Sequence, residues 1–378
     1  AGEVEVMATQ QQNIGEVLQF FNEARRPVKS SDRVPGPFPY LGASGTVDYV
    51  EGFTHEGSYL CVSEDGANLL TRSLPIAWVQ DGKFWANNHL QVLGGVSREH
   101  LTFFRYAIES TNIAAYVTGS AQPKLSKASL SSVQVPKFSR GEEERIGKLL
   151  SAIDDKIVAN QTSISKIDEI LRALWQKELS LGSIDVPLSS LASFINGKAF
   201  TKGASGTGRV VVRIAEMNSG IGSRTIYSDI DAAPDNVVDP GELLFSWSGT
   251  LMTKRWPYDQ AIVNQHIFKA VPNGQLDLWA LRQAIDAQLE YFQMIAAGKA
   301  TTMGHIKRGD LDQEVEVPAQ MPEEANQLGN SLWGLATSLE IQNLQLARTR
   351  DELLPLLMSG RITVGEAEDA ADEATSES

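Results

Sequence analysis

Cysteine is nearly absent: Cys61 stands alone among 378 residues. One thiol excludes an intramolecular disulfide framework and a cysteine-based zinc site, and it reads as a small buried apolar side chain in a reducing compartment, the cytoplasm. Histidine is scarce too, with 5 residues and no HxxxH or HExxH spacing, so no metal is expected. No apolar run approaches membrane-spanning length. The first residues, AGEVEVMATQQQN, hold acids and no apolar segment, which does not fit a signal peptide. Catalytic signatures are missing as well. There is no GxxxxGK[ST] phosphate loop, and GASGTG at 203–208 is only a glycine-rich turn. Neither an Asn/Asp-Pro-Pro-aromatic methylase motif nor a helicase motif occurs, and no carboxylate–lysine nuclease cluster stands out. No catalytic residue and no bound cofactor are therefore expected.

Positive charge is in deficit, with a formal net charge of −14. That excess argues at first against nucleic acid. The last 17 residues hold six acids and no base, so the tail supplies −6 of it. The tail reads as a disordered acidic end. The rest is nearly balanced, which leaves room for a local basic face.

What the chain does have is rhythm. Ile146, Leu150, Ile153, Ile157, Asn160, Ile164, Ile167, Leu171 and Leu174 recur at alternating steps of four and three. This is a heptad seam with one polar interruption, and it calls for a partner helix. Shifting by 182 gives Leu328, Leu332, Leu335, Leu339, Gln342, Leu346, Thr349, Leu353 and Leu356, the same rhythm with Gln342 in place of Asn160. The shift also carries Val133–Pro136 onto Val315–Pro318. A shared offset over so long a stretch marks an internal duplication. Asn160 and Gln342 are expected to meet across the seam and fix its register. The second helix should break near Pro355 and end near Gly360.

The segments before each helix echo more faintly. Residues 14–21 resemble 188–195, Asp65–Leu70 resembles Pro240–Phe245, and Asn87-Asn88-His89 matches Asn264-Gln265-His266. Strand-like runs at Tyr59–Val62, Ile76–Val79, Val210–Ile214 and Ile262–Phe268, with helices at 98–110 and 276–296, make each segment mixed. The expected fold class is α+β: two pseudo-repeated mixed α/β domains separated by two long helices forming an antiparallel coiled coil. The expected divisions are 1–13, an N-terminal extension; 14–138, a first domain; 139–180, a central helix; 181–318, a second domain; 319–361, a C-terminal helix; and 362–378, the acidic tail. About 37 helical residues make a rod of roughly 55 Å, longer than the roughly 34 Å of a DNA turn.

With the duplication in view, the chain resembles the specificity subunit of type I restriction–modification enzymes over about residues 14–364. YLGASGTVDYV, EDGANLL and GKFWANNH resemble that family's first target-recognition domain, and VPLSSLASFINGKAF, GELLFSWSGT and NQHIFK a common form of its second. VPKFSRGEEERIGKLLSAIDDKIVANQ resembles the approach to its central helix, with Lys137-Phe138 where prolines are usual, and RDELLPLLMSG resembles the end of its second helix. The resemblance implies a non-catalytic subunit that reads a bipartite, asymmetric stretch of double-stranded DNA. It implies as partners two methyltransferase subunits and two restriction subunits, which would carry S-adenosylmethionine, ATP and magnesium. A related methylation or defence system outside type I, and a bivalent protein adaptor, stay open.

Base edges need donors and acceptors on loops, and phosphates need Lys, Arg or amides. In the second domain the candidates are Lys198 and Lys202 beside a glycine turn, Lys254 and Arg255 after Ser246–Thr250, and the polar run Lys299, Thr301, Thr302, His305, Lys307 and Arg308. In the first they are Ser44, Gln122, Lys124, Lys127 and Arg72, for which an ion pair with Glu64 or Asp65 competes. Because His89 and His266 recur in both domains, they are expected to be structural, hydrogen-bonded near the core.

Overall fold

A computed structural model of the chain describes residues 10–119, 121–298 and 305–376. The strands of the first half are β1 (Gln11–Asn13), β2 (Gln19–Phe20), β3 (Pro35–Gly42), β4 (Gly45–Val50), β5 (His55–Glu56), β6 (Tyr59–Ser63), β7 (Ala77–Gln80), β8 (Lys83–Ala86), β9 (Leu90–Gly94) and β10 (Gln134–Pro136). Its helices are α1 (Ile14–Val17), α2 (Asn68–Thr71), α3 (Arg98–Ser110), α4 (Lys127–Ser131) and the long α5 (Arg140–Leu181). The second half adds β11 (Ser183–Pro187), β12 (Ala192–Asn196), β13 (Arg209–Val212), β14 (Ile226–Ser228), β15 (Val237–Val238), β16 (Leu243–Ser246), β17 (Met252–Arg255), β18 (Ala261–Val263), β19 (Ile267–Pro272) and β20 (Glu314–Pro318). Its helices are α6 (Ile214–Ser219), α7 (Leu278–Ala287), α8 (Leu289–Gly298), α9 (Glu323–Met358) and α10 (Val364–Ser376).

The chain divides into two compact units. Unit 1 runs up to Ile157 and resumes at Gln345; unit 2 is Val158–Leu344. Each long helix thus gives one stretch to each unit. Within unit 1 one sheet has the order β2-β9-β6-β7 and a second the order β4-β3-β8-β5, while β1 pairs with β10. Within unit 2 the orders are β12-β19-β16-β17 and β14-β13-β18-β15, while β11 pairs with β20. A parallel pairing of named strands also recurs in each unit, β3 with β8 and β13 with β18. The units are two copies of one topology.

The topology also corrects the repeat. Ser63–Gly66 and Ser246–Gly249 both follow the third strand of the first sheet, so these are the equivalent segments. Asp65–Leu70 runs into α2 and does not correspond to Pro240–Phe245, which leads into β16.

Local chemistry sets the elements. Ser97 caps α3 by accepting from the His100 amide at 3.1 Å. The apolar face of α3, Phe103, Phe104 and Ala107, packs with Leu60, Val62 and Leu93. In unit 2 Trp279, Ala280 and Ala284 of α7 pack with Leu243, Phe245 and Ala270. The strand-like run Ile262–Phe268 is two strands in two sheets. The chain turns between them at His266, whose φ of 75° lies in the left-handed region. The helix expected at 276–296 divides at Gln288 into α7 and α8.

Three further expectations change. Gln11–Asn13, placed in an extension, form β1, and Gln12 donates to Glu143 at 2.6 Å. The tail expected to be disordered folds as α10. Val364, Ala367 and Ala371 bury against the unit 1 core at helical spacing, and the Thr363 hydroxyl and Glu366 carboxylate close a capping box. The net charge of this stretch hid that narrow apolar face. Finally, α9 passes through Pro355, which is exposed and in the last turn, where one lost hydrogen bond is tolerated. It ends at Gly360 in a Schellman motif, with Arg361 N bonded to Leu356 O and Gly360 N to Leu357 O.

The first seam holds. Ile146, Leu150, Ile153, Asn160, Ile167 and Leu171 are buried, with Ile157, Ile164 and Leu174 partly so. On α9, Leu346 and Leu353 are buried and Leu332 and Leu339 partly buried, but Leu328 and Leu335 are 48% and 50% exposed and are not in the seam. The first turns of α9 bury Ala325, Gly329, Trp333 and Ala336 instead. A Cβ on Gly329 would lie 2.2 Å from the Trp279 ring, so its absence lets α7 approach that face. Asn160 donates to Gln342 at 2.7 Å and to Asn343 at 2.9 Å, the polar contact expected.

Candidate nucleic-acid interface

The same backbone hydrogen bonds build one loop tip in each unit. In unit 1 Asn87 N bonds Leu41 O, Glu64 N bonds His89 O at 2.9 Å, and Leu125 N bonds Glu64 O at 2.7 Å. In unit 2 Asn264 N bonds Val212 O, Trp247 N bonds His266 O at 3.0 Å, and Ile306 N bonds Trp247 O at 3.1 Å. A bridge follows in each, Asp65 with Lys124 and Ser248 with His305. The frame is shared, and the side chains it carries are not.

On unit 1, Glu64 is held by Arg25 at 2.6 Å and Lys124 at 3.2 Å. His89 Nδ1 lies 2.8 Å from Asp65. The hairpin turn with Ser44 is tied down by the Ser63 hydroxyl, which donates to Ala43 O. On unit 2, the Trp247 indole donates to Asn196 at 2.8 Å and its ring lies 4.8 Å from His266. Asn196, Trp247, Phe268, His305, Ile306, Lys307 and Arg308 wall a cavity of about 400 Å³. This corner joins an aromatic face to exposed cations, and such a pairing suits the stacked bases and phosphates of nucleic acid.

The sequence candidates separate accordingly. Lys307 and Arg308 are exposed and His305 half-buried at this corner; the exposed Lys198 accepts the Gln265 amide on its carbonyl, next to His266. Lys202 is exposed on the adjoining glycine loop. Ser44, Gln122 and Lys124 are exposed in unit 1, with Lys124 at its tip. Lys127 lies over the Phe20 ring. Lys299, Thr301 and Thr302 fall outside the described residues.

Two candidates are corrected. Arg255 is 2% exposed, makes two hydrogen bonds to Glu340 and lies over Trp333, so its charge is spent inside unit 2; Lys254, its neighbour, faces the other way and is half-buried. The alternation of a strand puts one of two adjacent cations inside, which the dipeptide alone does not reveal. Arg72 donates to the Glu109 carboxylate at 2.8 Å and its carbonyl at 2.6 Å, and pairs with neither Glu64 nor Asp65. The histidines also depart from expectation: the His89 side chain is 49% exposed, and His266 Nδ1 is buried without a partner. Trp247 and Asn196 carry no signal in the sequence as site residues, because only β19, paired with both β12 and β16, brings them together.

Beneath the tips, ion pairs tie the domain helices to the long ones. In unit 1 Asp154 of α5 receives Arg105 and the Tyr106 hydroxyl at 2.5 Å each and Arg350 of α9 at 2.8 Å. Burial opposes its ionisation, yet Tyr106 and the two guanidiniums hold its carboxyl below the ordinary value. In unit 2 Arg282 of α7 meets Asp168 of α5 at 3.2 Å. Burial raises the nearby Asp286 carboxyl.

Geometry defines the class: a duplicated α+β scaffold on two long helices, whose units present different side chains on one frame. Residues 9–169 match the family model of the type I restriction modification DNA specificity domain. A curated protein of Haemophilus influenzae described as a type I restriction enzyme specificity subunit is 39% identical over 140 residues, 37% of this chain and 36% of that protein. The match thus spans about a third of that relative's length. The S subunit of a type I restriction–modification system from M. genitalium has the same fold, with TM-score 0.64 and 14% identity over 95% of this chain and 98% of that one. Among the described residues no His/Cys/Asp/Glu group could hold a metal, and no helix is long and apolar enough to cross a membrane.

Proposed function

We propose that the chain is the DNA-recognition subunit of a type I restriction–modification complex. Each unit reads one half of a bipartite target through its loop tip, and the long helices set the gap. The observation that carries this reading is the shared loop frame bearing different side chains, which suits two unlike half-sites. Phosphate contacts from Lys198, Lys202, Lys307 and Arg308 would supply most of the affinity and make it salt-dependent.

Chemistry is assigned to partners. Methyltransferase subunits would bind S-adenosylmethionine and flip the target adenine from the duplex, while this chain holds the flanking pairs. Restriction subunits would use ATP and magnesium. The exposed apolar residues Leu328 and Leu335 of α9 and Ile170 of α5 support a docking role for the helices. The complex works in the cytoplasm, where its DNA is. Deleting this chain should abolish a two-part adenine methylation motif in the host genome. A motif that survives the deletion would refute the reading.

A further inference from the structure

Asp65 accepts from one edge of the His89 ring, with Nδ1 at 2.8 and 3.1 Å from its two oxygens. A carboxylate only accepts, so Nδ1 carries the proton and Nε2 lies on the opposite edge of the ring. Nε2 has no partner among the described residues, and 49% of the side chain is exposed. The backbone under it is held firmly. His89 N donates to Asn87 Oδ1 at 2.7 Å, and His89 O accepts from Glu64. Glu64 is itself fixed by Arg25 and Lys124. An imidazole that fills no core, with one nitrogen oriented and the other open, is prepared for a ligand outside the unit.

We propose, resting on the recognition reading above, that His89 reads a base of the half-target of unit 1 and that Asp65 is its positioning residue. With Nδ1–H held by Asp65, the ring in its neutral form offers Nε2 as an acceptor. Its match in the major groove is the exocyclic amino group of adenine or cytosine. In unit 2, Ser248 occupies the place of Asp65 and Trp247 packs on His266. His266 is therefore not oriented in this way, and the other half-target is read by different chemistry.

The test uses the full chain assembled with its methyltransferase subunits, selecting from duplexes randomised at every position. His89→Ala should lose about tenfold discrimination at one or two adjacent positions of one half. The other half, the gap and the thermal midpoint should be unchanged. Asp65→Ala should follow it, whereas Asp65→Asn, whose amide oxygen still accepts from Nδ1–H, should restore selectivity. An unchanged motif, or affinity falling by one factor on all sequences, would overturn the assignment of His89. If the wild-type complex selects no motif, the recognition reading itself fails.

Discussion

Unit 1 and unit 2 share strand order, loop frame and even the glycine at which a long helix meets a domain helix, yet their tips differ in chemistry. Unit 1 carries an ion-paired tip, Glu64, Asp65, His89 and Lys124. Unit 2 carries an aromatic one, Trp247, His266 and His305, flanked by Lys307 and Arg308. Duplication kept what holds the loop and released what the loop displays. A frame built from backbone hydrogen bonds makes that possible, since it does not depend on side-chain identity.

The largest effect should come from the paired glycines. A Cβ on Gly147 would lie 1.9 Å from the backbone oxygen of Glu99, whereas one on Gly329 would meet the Trp279 side chain at 2.2 Å. Backbone yields less than a side chain. Gly147→Ala should therefore cost about 3 kcal/mol by chemical denaturation and Gly329→Ala less. Equal costs would show that the two junctions are packed alike.

Next come the buried charges. Arg255→Ala leaves Glu340 without its partner and should destabilise the chain by about 3 kcal/mol. Lys307→Ala with Arg308→Ala should leave stability within about 0.5 kcal/mol. That pair should instead flatten the slope of log affinity against log salt by roughly one for each phosphate contact removed. A stability loss in the double variant, or a salt slope that moves with Arg255, would reverse the division between structural and exposed cations.

Asp154 adds a pH dependence of its own. Its folded carboxyl titrates below the ordinary 3.8. Its contribution is thus fully present above that value and lost as pH falls through the lowered one. Asp154→Asn should remove that part of the acid sensitivity, read as a flatter thermal midpoint below about pH 4. The smallest effect is expected at the polar contact of the seam. Asn160→Leu should change stability by about 1 kcal/mol or less while loosening register, visible as a less sharply defined gap in the methylation motif.

Much of this was legible in the sequence because periodicity and duplication are linear signals. The α5 seam, the 182-residue echo and the Asn160–Gln342 contact followed from spacing alone. The α9 seam was only half legible. Leu328 and Leu335 keep the heptad phase, but Gly329, Trp333 and Ala336 bury a different face, and the small Gly329 and Ala336 leave no hydrophobic signature. The acidic content of α10 masked Val364, Ala367 and Ala371. The tips were least legible, since Asp65 and His89, or Asn196 and Trp247, are joined only by strand pairing.

The most direct measurement is a map of methylated adenines in cells carrying the wild-type chain and in cells carrying Trp247→Ala with His305→Ala. A wild-type motif in two parts is predicted, with the variant altered in one half and unchanged in the other half and in the gap. Changes in both halves, or no two-part motif at all, would contradict the account.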